Sequence, residues 1–348
     1  MNEIVNAVNG IIWSPALIYL CLGVGLYFSV RGRFLQVRHF GRMIRLLIDG
    51  KSTDQGVSSF QALAMSLAGR VGTGNIAGVA TAITFGGPGA LFWMWMVAFL
   101  GASTAFVEST LAQIYKERDD KGFFIGGPAY YFEKALGQKW YAVLFAISAI
   151  AACGLLLPGV QANSIAEAMN NSLGIAPSIS AAVIAALLGF IIFGGVKRIA
   201  SSAELIVPFM ALAYIIVAIV IIIMHIGQLP EVLSLIFRSA FGMDSTFGAV
   251  LGLAIQWGVK RGVYSNEAGQ GTGPHPSAAA DVSHPAKQGL VQAFSVYVDT
   301  LFVCSATGFM LIITGMYNVQ DPANKEAFLY QGGKGVSAGP GYVQTAME

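Results

Sequence analysis

The stretch LAGRVGTGNIAGVA, Leu67–Ala80, lies in the middle of an apolar segment, Ser58 to Phe85, that is long enough to cross a bilayer. It nevertheless carries Arg70, the glycines Gly69, Gly72, Gly74 and Gly78, and the polar pair Thr73 and Asn75. Glycine inside a helix costs roughly 0.5–1 kcal/mol relative to alanine, and an arginine at mid-bilayer costs about 2.5–3.5 kcal/mol on insertion scales. A helix that only has to span lipid would not be written this way. One reading is a helix broken at 70–75, with backbone amides and carbonyls freed to hold something small. The other is close helix packing through small residues. On one segment the two stand level.

A second segment tips the balance. Gly258 to Gly273, GVKRGVYSNEAGQGTG, again places Gly, Ser, Asn, Gln and Thr where the apolar run Gly248 to Trp257 should continue. Two interrupted spans far apart in one chain are the best sequence pointer to a transporter binding site.

Composition agrees with a membrane setting. The chain is 55% hydrophobic and 11% charged, with mean hydropathy +0.66, whereas soluble domains average about 25% charged residues. This reads as an all-α polytopic membrane protein. Cys21, Cys153 and Cys304 all fall in apolar runs and read as small core residues, neither a disulfide framework nor a metal site. A net charge of +2 points to no nucleic-acid partner, and no cofactor motif is present. Met1 to Gly10 has no basic residue and Ile11 to Val30 is too long for a signal-peptide core, so no cleavable leader is expected.

Ile11 to Val30 is a first span. The loop after it holds Arg31, Arg33, Arg38, Arg42, Arg45 and Lys51, which places it in the cytoplasm and the N-terminus outside. The broken span Ser58–Phe85 rises outward to a tight turn, Gly86 to Gly89, and Ala90 to Tyr115 returns. Lys116 to Lys139 is a basic inner loop with a short interfacial helix. Trp140 to Met169, Ser178 to Phe193 and Ile199 to Ile226 are the next three spans, followed by an interfacial helix within Gly227–Asp244. The second broken span covers 246–280 and a last one 288–316, before an external polar stretch, Tyr317 to Gly341. The first three inner loops hold 13 of the 20 Lys and Arg; the outer segments hold only Arg238, Lys325 and Lys334.

In this topology the two broken spans run in opposite directions and start five spans apart. That is the arithmetic of a five-plus-five inverted repeat. Residues 1–56 form an extra span with its basic loop, 57–226 the first repeat, and 227–348 the start of a second. The second repeat needs five spans and shows two, and GYVQTAME reads like the beginning of another helix, so the expectation is a chain whose last spans are missing.

GGPGALFWMWMVAFLG (Gly86–Gly101), with GTGNIAGVATAI before it and KRGVYSNEAGQGTGPH later, resembles the sodium:alanine (alanine or glycine:cation) symporter family. The resemblance covers essentially the whole chain. It implies the leucine-transporter-type fold with one extra N-terminal span. It also implies sodium-coupled symport of alanine, glycine and similar amino acids across the inner membrane of a prokaryote, with sodium as coupling ion.

A zwitterionic amino acid needs donors for its carboxylate and acceptors for its ammonium. The half-helix that begins near Asn75 turns its positive end toward the break, so Gly72, Thr73 and Gly74 are the expected carboxylate seat. Asn75 offers either a carbonyl to sodium or an N-cap to its own helix. At the second break the carbonyls of Tyr264 and Ser265, with Ser265, Asn266, Gln270 and Thr272, suit the ammonium and a sodium ion, a hard cation that favours oxygen. Gly69, Gly72, Asn75, Ser265 and Asn266 make up the expected sodium ligands. Gln161 is a candidate substrate contact or interhelical glue, and Trp257 with Phe247 closes the pocket or merely packs. Glu267 is the expected partner of Arg70, Lys260 or Arg261. Glu108, Glu204 and Asp299 stand alone on separate spans and read as packing or gating residues.

An ion channel is the rival class, but it calls for rings of repeated polar residues and oligomeric symmetry. No HExxH, GxSxG or paired membrane carboxylates speak for an enzyme.

Overall fold

A computed structural model describes residues 8–48, 56–324, 326–336 and 338–348. Met1 to Ala7, Lys51 and Lys325 lie outside the described residues. Among the described residues the chain is predominantly helical, with two small antiparallel hairpins, Glu117–Arg118 with Phe124–Ile125 and Asn318–Gln320 with Phe328–Gln331.

The helices are α1 (Pro15–Arg31), α2 (Phe40–Ile48), α3 (Ser59–Arg70), α4 (Val79–Gly86), α5 (Gly89–Ile114), α6 (Pro128–Leu136), α7 (Lys139–Leu173), α8 (Pro177–Ile192), α9 (Gly195–Met224), α10 (Leu229–Ala240), α11 (Leu251–Asn266), α12 (Pro274–Ala279), α13 (Pro285–Thr314) and α14 (Pro340–Met347). Five helices are long and apolar enough to cross a bilayer: α1 extended back to Val8, α5, α7, α9 and α13. With the 16-residue α8 and the two interrupted pairs, α3–α4 and α11–α12, they supply the eight segments that the hydropathy pattern predicts.

α5 is the hub: α13, α11, α1, α12 and α10 all pack on it. Glycine makes the closest of these approaches. A Cβ on Gly258 would lie 2.6 Å from the Ala90 carbonyl oxygen and the Trp93 Cβ, and one on Gly262 would lie 3.3 Å from Val97. Gly258 and Gly262 therefore belong to a packing ridge inside an unbroken helix. The second interruption starts later than the sequence suggests, at Glu267, because these two glycines serve α5 and not a break.

The first interruption is short. A capping box starts α3: the Ser58 hydroxyl accepts from the Gln61 N–H (3.1 Å) and the Gln61 side chain accepts from the Ser58 N–H (3.0 Å). The helix ends at Arg70, Val71 is extended, and helix resumes at Thr73 as a π turn over Gly74–Gly78. The half-helix thus begins two residues before the position expected from Asn75. Gly87, at φ +68°, makes the turn into α5, a conformation that glycine adopts without a Cβ penalty.

Two further π segments were not foreseen. One, Ala152–Leu156, precedes Pro158 in α7 and takes up the backbone that proline leaves unpaired. The other, Tyr297–Cys304, widens the middle of α13. The most apolar stretch of α7 has no buried residue. Leu155, Leu156, Phe190, Phe193, Leu205 and Phe209 stand out from α7, α8 and α9. So continuous an apolar exterior marks a surface that contacts membrane or other protein.

Candidate functional site

Both interruptions and the π segment of α13 meet at one place. Asn75 is wholly buried there. Its Oδ1 accepts from the Gly72 N–H at 2.8 Å, and its Nδ2 donates to Asp299 Oδ1 at 2.7 Å and to Ser265 Oγ at 3.1 Å. Asn75 is therefore neither an N-cap nor a free carbonyl. It already lies inside the half-helix and reaches back three residues to pair an amide that the helix start leaves orphaned.

Asp299 sits at the centre with no exposed surface. Its Oδ2 accepts from Ser265 Oγ at 2.9 Å and Thr300 Oγ1 at 2.7 Å. Asn266 extends the network by donating to Thr300 Oγ1 at 3.3 Å. The Cys304 thiol lies 3.2 Å from both Asn75 Nδ2 and Ser265 Oγ. Among the described residues no Lys or Arg forms an ion pair with Asp299. The lone acid that reads from sequence as a packing residue is thus joined to both breaks. The π turn widens the helix at that point and carries the carboxylate inward; a single Asp in an apolar run gives no hint of that.

Beside this network lies a partly open cavity of about 20 Å³, lined by Gly69, Arg70, Gly74, Leu157, Gln161, Tyr264, Glu267 and Gln270. That is room for a water-sized occupant. Gln161, from α7, closes it over the first break. Its Oε1 accepts from the Thr73 N–H at 3.0 Å and, in a short contact, from the Thr73 hydroxyl. Gly74 bears on the other side: a Cβ there would stand 3.3 Å from the Ser265 Cα and 3.4 Å from the Tyr264 ring.

Arg70 is 2% exposed and ends α3. Its Nε lies 3.9 Å from Glu267 Oε2 and its Nη1 donates to Ser295 Oγ. Glu267 caps α11 in the left-handed region, φ +55°, a conformation that non-glycine residues adopt at a cost. Thr272 steadies its carboxylate by donating to Oε2 at 2.7 Å. Glu108, also buried, accepts from the Gly269 N–H at 3.2 Å and so holds the loop of the second break. Of the three cations considered as partners for Glu267, Arg70 is the one that meets it. Lys260 and Arg261 instead lie over the Trp257 ring, at 4.8 and 5.4 Å.

The remaining predicted site residues divide. Gln270 lines the cavity while donating to the Val263 carbonyl at 2.8 Å. Gly69 faces the Glu267 carboxylate, 3.8 Å from a would-be Cβ, and not the Asp299 network. Trp257 stacks on Phe85 with centroids 4.7 Å apart and does not line the cavity. Phe247 lies in a separate cluster against Tyr330. The carbonyls of Tyr264 and Ser265 are among the last four of α11, which have no partner within the helix.

Known proteins similar to this chain are carriers of one family. The chain is 62% identical over all 348 residues to a putative sodium/proton-dependent alanine carrier of Bacillus subtilis and covers 71% of that protein. It is 53% identical over 306 residues, 88% of the chain, to a sodium/proton-dependent alanine carrier of Bacillus sp. strain PS3, of which it covers 68%. Over 322 residues, 90% of the chain, it is 43% identical to a sodium/alanine symporter of Methanococcus maripaludis, covering 71%. The model of the sodium:alanine symporter family matches residues 1–337, and this chain is a member of that family.

Proposed function

We propose that the protein carries alanine, glycine and similarly small amino acids into the cell together with sodium. The observation that carries this reading is the convergence of Asp299, Asn75, Ser265 and Thr300 at the junction of the two interrupted helices. A buried carboxylate that forms no ion pair with a Lys or Arg among the described residues, ringed by hydroxyl and amide groups, is an oxygen-rich seat for a small hard cation. Asp299 supplies the charge; Ser265 and Thr300 hydroxyls rotate to turn lone pairs toward the ion.

The substrate lies beside it. Its carboxylate takes the Thr73 and Gly74 amides at the positive end of the half-helix. Its ammonium faces Gln270, the Glu267 carboxylate and the last carbonyls of α11. Leu157 and Tyr264 leave no room for a long side chain, so the selection is for small ones. The backbone readout at glycine and threonine supports the same chemistry for alanine and glycine.

The wider architecture supports transport by alternating access in a cell membrane, with the N-terminus outside. In that scheme 57–226 is the first repeat of a leucine-transporter-type fold, 227–348 belongs to the second, and 1–56 adds one span. The test is uptake of labelled alanine into proteoliposomes under an imposed sodium gradient. Saturable uptake driven by inward sodium supports the proposal. Uptake unchanged when choline replaces sodium, or flux that does not saturate as a channel's would not, overturns it.

A further inference from the structure

We infer that Gln161 is a displaceable internal ligand, whose side-chain carbonyl occupies the donors that a substrate carboxylate must take. The inference rests on the proposed carboxylate seat at the first break and assigns Gln161 a role opposite to that of a substrate contact.

Three observations carry it. A single oxygen, Gln161 Oε1, accepts from both the N–H and the hydroxyl of Thr73. Two converging donors at the start of a helix are what one carboxylate oxygen requires. The same amide lies flat on the bare Cα of Gly72: a Cβ there would stand 2.9 Å from both Gln161 Oε1 and Nε2. Gln161 also lines the cavity with Gly74 and Gln270, so it stands in the space itself and not behind it. Substrate and Gln161 cannot hold Thr73 together.

The exchange favours the substrate. A carboxylate makes charge-assisted hydrogen bonds, roughly twice as strong as those of a neutral amide, and it also gains from the half-helix dipole. Displacement has a mechanical effect too. Among the described residues, Gln161 is the side chain through which α7 hydrogen-bonds the first break. α7 is otherwise held near its ends, by Phe145 stacked on His275 and by Gln344, which donates to the Ala168 carbonyl at 3.2 Å and Ser172 Oγ at 2.9 Å. Between those points lie the π turn and Pro158, where the helix ladder is already interrupted. Taking Thr73 from Gln161 therefore uncouples the middle of α7 from the broken helix.

The experiment measures sodium-dependent binding of labelled alanine to the purified protein in lipid nanodiscs. Gln161→Ala removes the competitor, and alanine should bind about three- to tenfold more tightly, the worth of one typical hydrogen bond. Gln161→Glu puts a carboxylate permanently on Thr73 and should weaken binding by more than tenfold. Unchanged or weaker binding in Gln161→Ala, with wild-type binding intact, overturns this inference alone. Wild-type protein that binds no alanine in sodium overturns the proposed function as well. If Gln161→Ala does not fold, hydrogen exchange of the wild type decides: amides of Leu157–Leu173 should exchange faster when alanine is added, and slower exchange overturns the inference.

Discussion

Asn75 and Asp299 stand 224 residues apart in the chain, yet the amide of the first donates to the carboxylate of the second at 2.7 Å with both side chains fully buried. This one bond joins the first interrupted helix to the widened turn of α13. It also makes the proposed cation seat a property of three helices together. In the proposed mechanism a pair so placed couples ion binding to the relative position of those helices.

Asp299→Asn should abolish the sodium dependence of alanine binding, since the charge is gone while the shape and most hydrogen bonds remain. Asn75→Ala should raise the sodium concentration for half-maximal binding about tenfold, the worth of a charge-assisted hydrogen bond at ~1.5 kcal/mol. Because the two groups touch, the double variant should lose less than the sum of the single losses. Sodium titrations of alanine binding measure all three, and additive losses would show that the contact does not act as a unit.

Gly74→Val should eliminate alanine binding while the protein still inserts and runs as a single species on size exclusion. The added side chain stands against the Ser265 backbone and the Tyr264 ring, where even a Cβ is tight at 3.3–3.4 Å. Normal binding in this variant would place the carboxylate elsewhere.

Gly258→Ala should do the reverse. Its Cβ would press on the Ala90 carbonyl oxygen at 2.6 Å, and backbone cannot step aside as a side-chain tip can. Overpacking of this kind costs about 1–3 kcal/mol, so the melting temperature should fall. The sodium affinity of the folded fraction should not change. An unchanged melting temperature would remove Gly258 from the α5 interface.

Arg70→Met should destabilise the protein by about 3–5 kcal/mol, because it leaves Glu267 buried without its partner. Removing both charges, in Arg70→Met with Glu267→Gln, should recover part of that loss. Thermal unfolding in detergent makes the comparison, and a double variant less stable than Arg70→Met would show that the pair is not the unit of stabilisation.

The two interruptions were legible because they rest on local chemistry. A charge, an asparagine and several glycines inside an apolar run leave few options for a helix, and the break between Arg70 and Thr73 lies where those residues are. Glycine alone was a poorer guide. Gly258 and Gly262 look like Gly72 and Gly74 on the page, and only the neighbouring helix separates packing glycines from opening ones. Asp299 was hidden for a different reason: π widening has no residue signature, and the acid's partners come from 34 and 224 residues away. The link between Gln161 and Thr73, 88 residues apart, is equally non-local. Trp257 drew attention by its size, but its ring is taken up by Phe85 and two cations.

Cys304 gives these ideas a chemical gauge. Its thiol is sealed against Asn75 and Ser265, while Cys153 is exposed on α7 and Cys21 is partly so. With Cys21 and Cys153 changed to serine, a small thiol reagent can modify the protein only when Cys304 is uncovered. The rate of that modification then reports how often the junction of the three helices parts, and alanine and sodium can each be scored by how far they slow or hasten it.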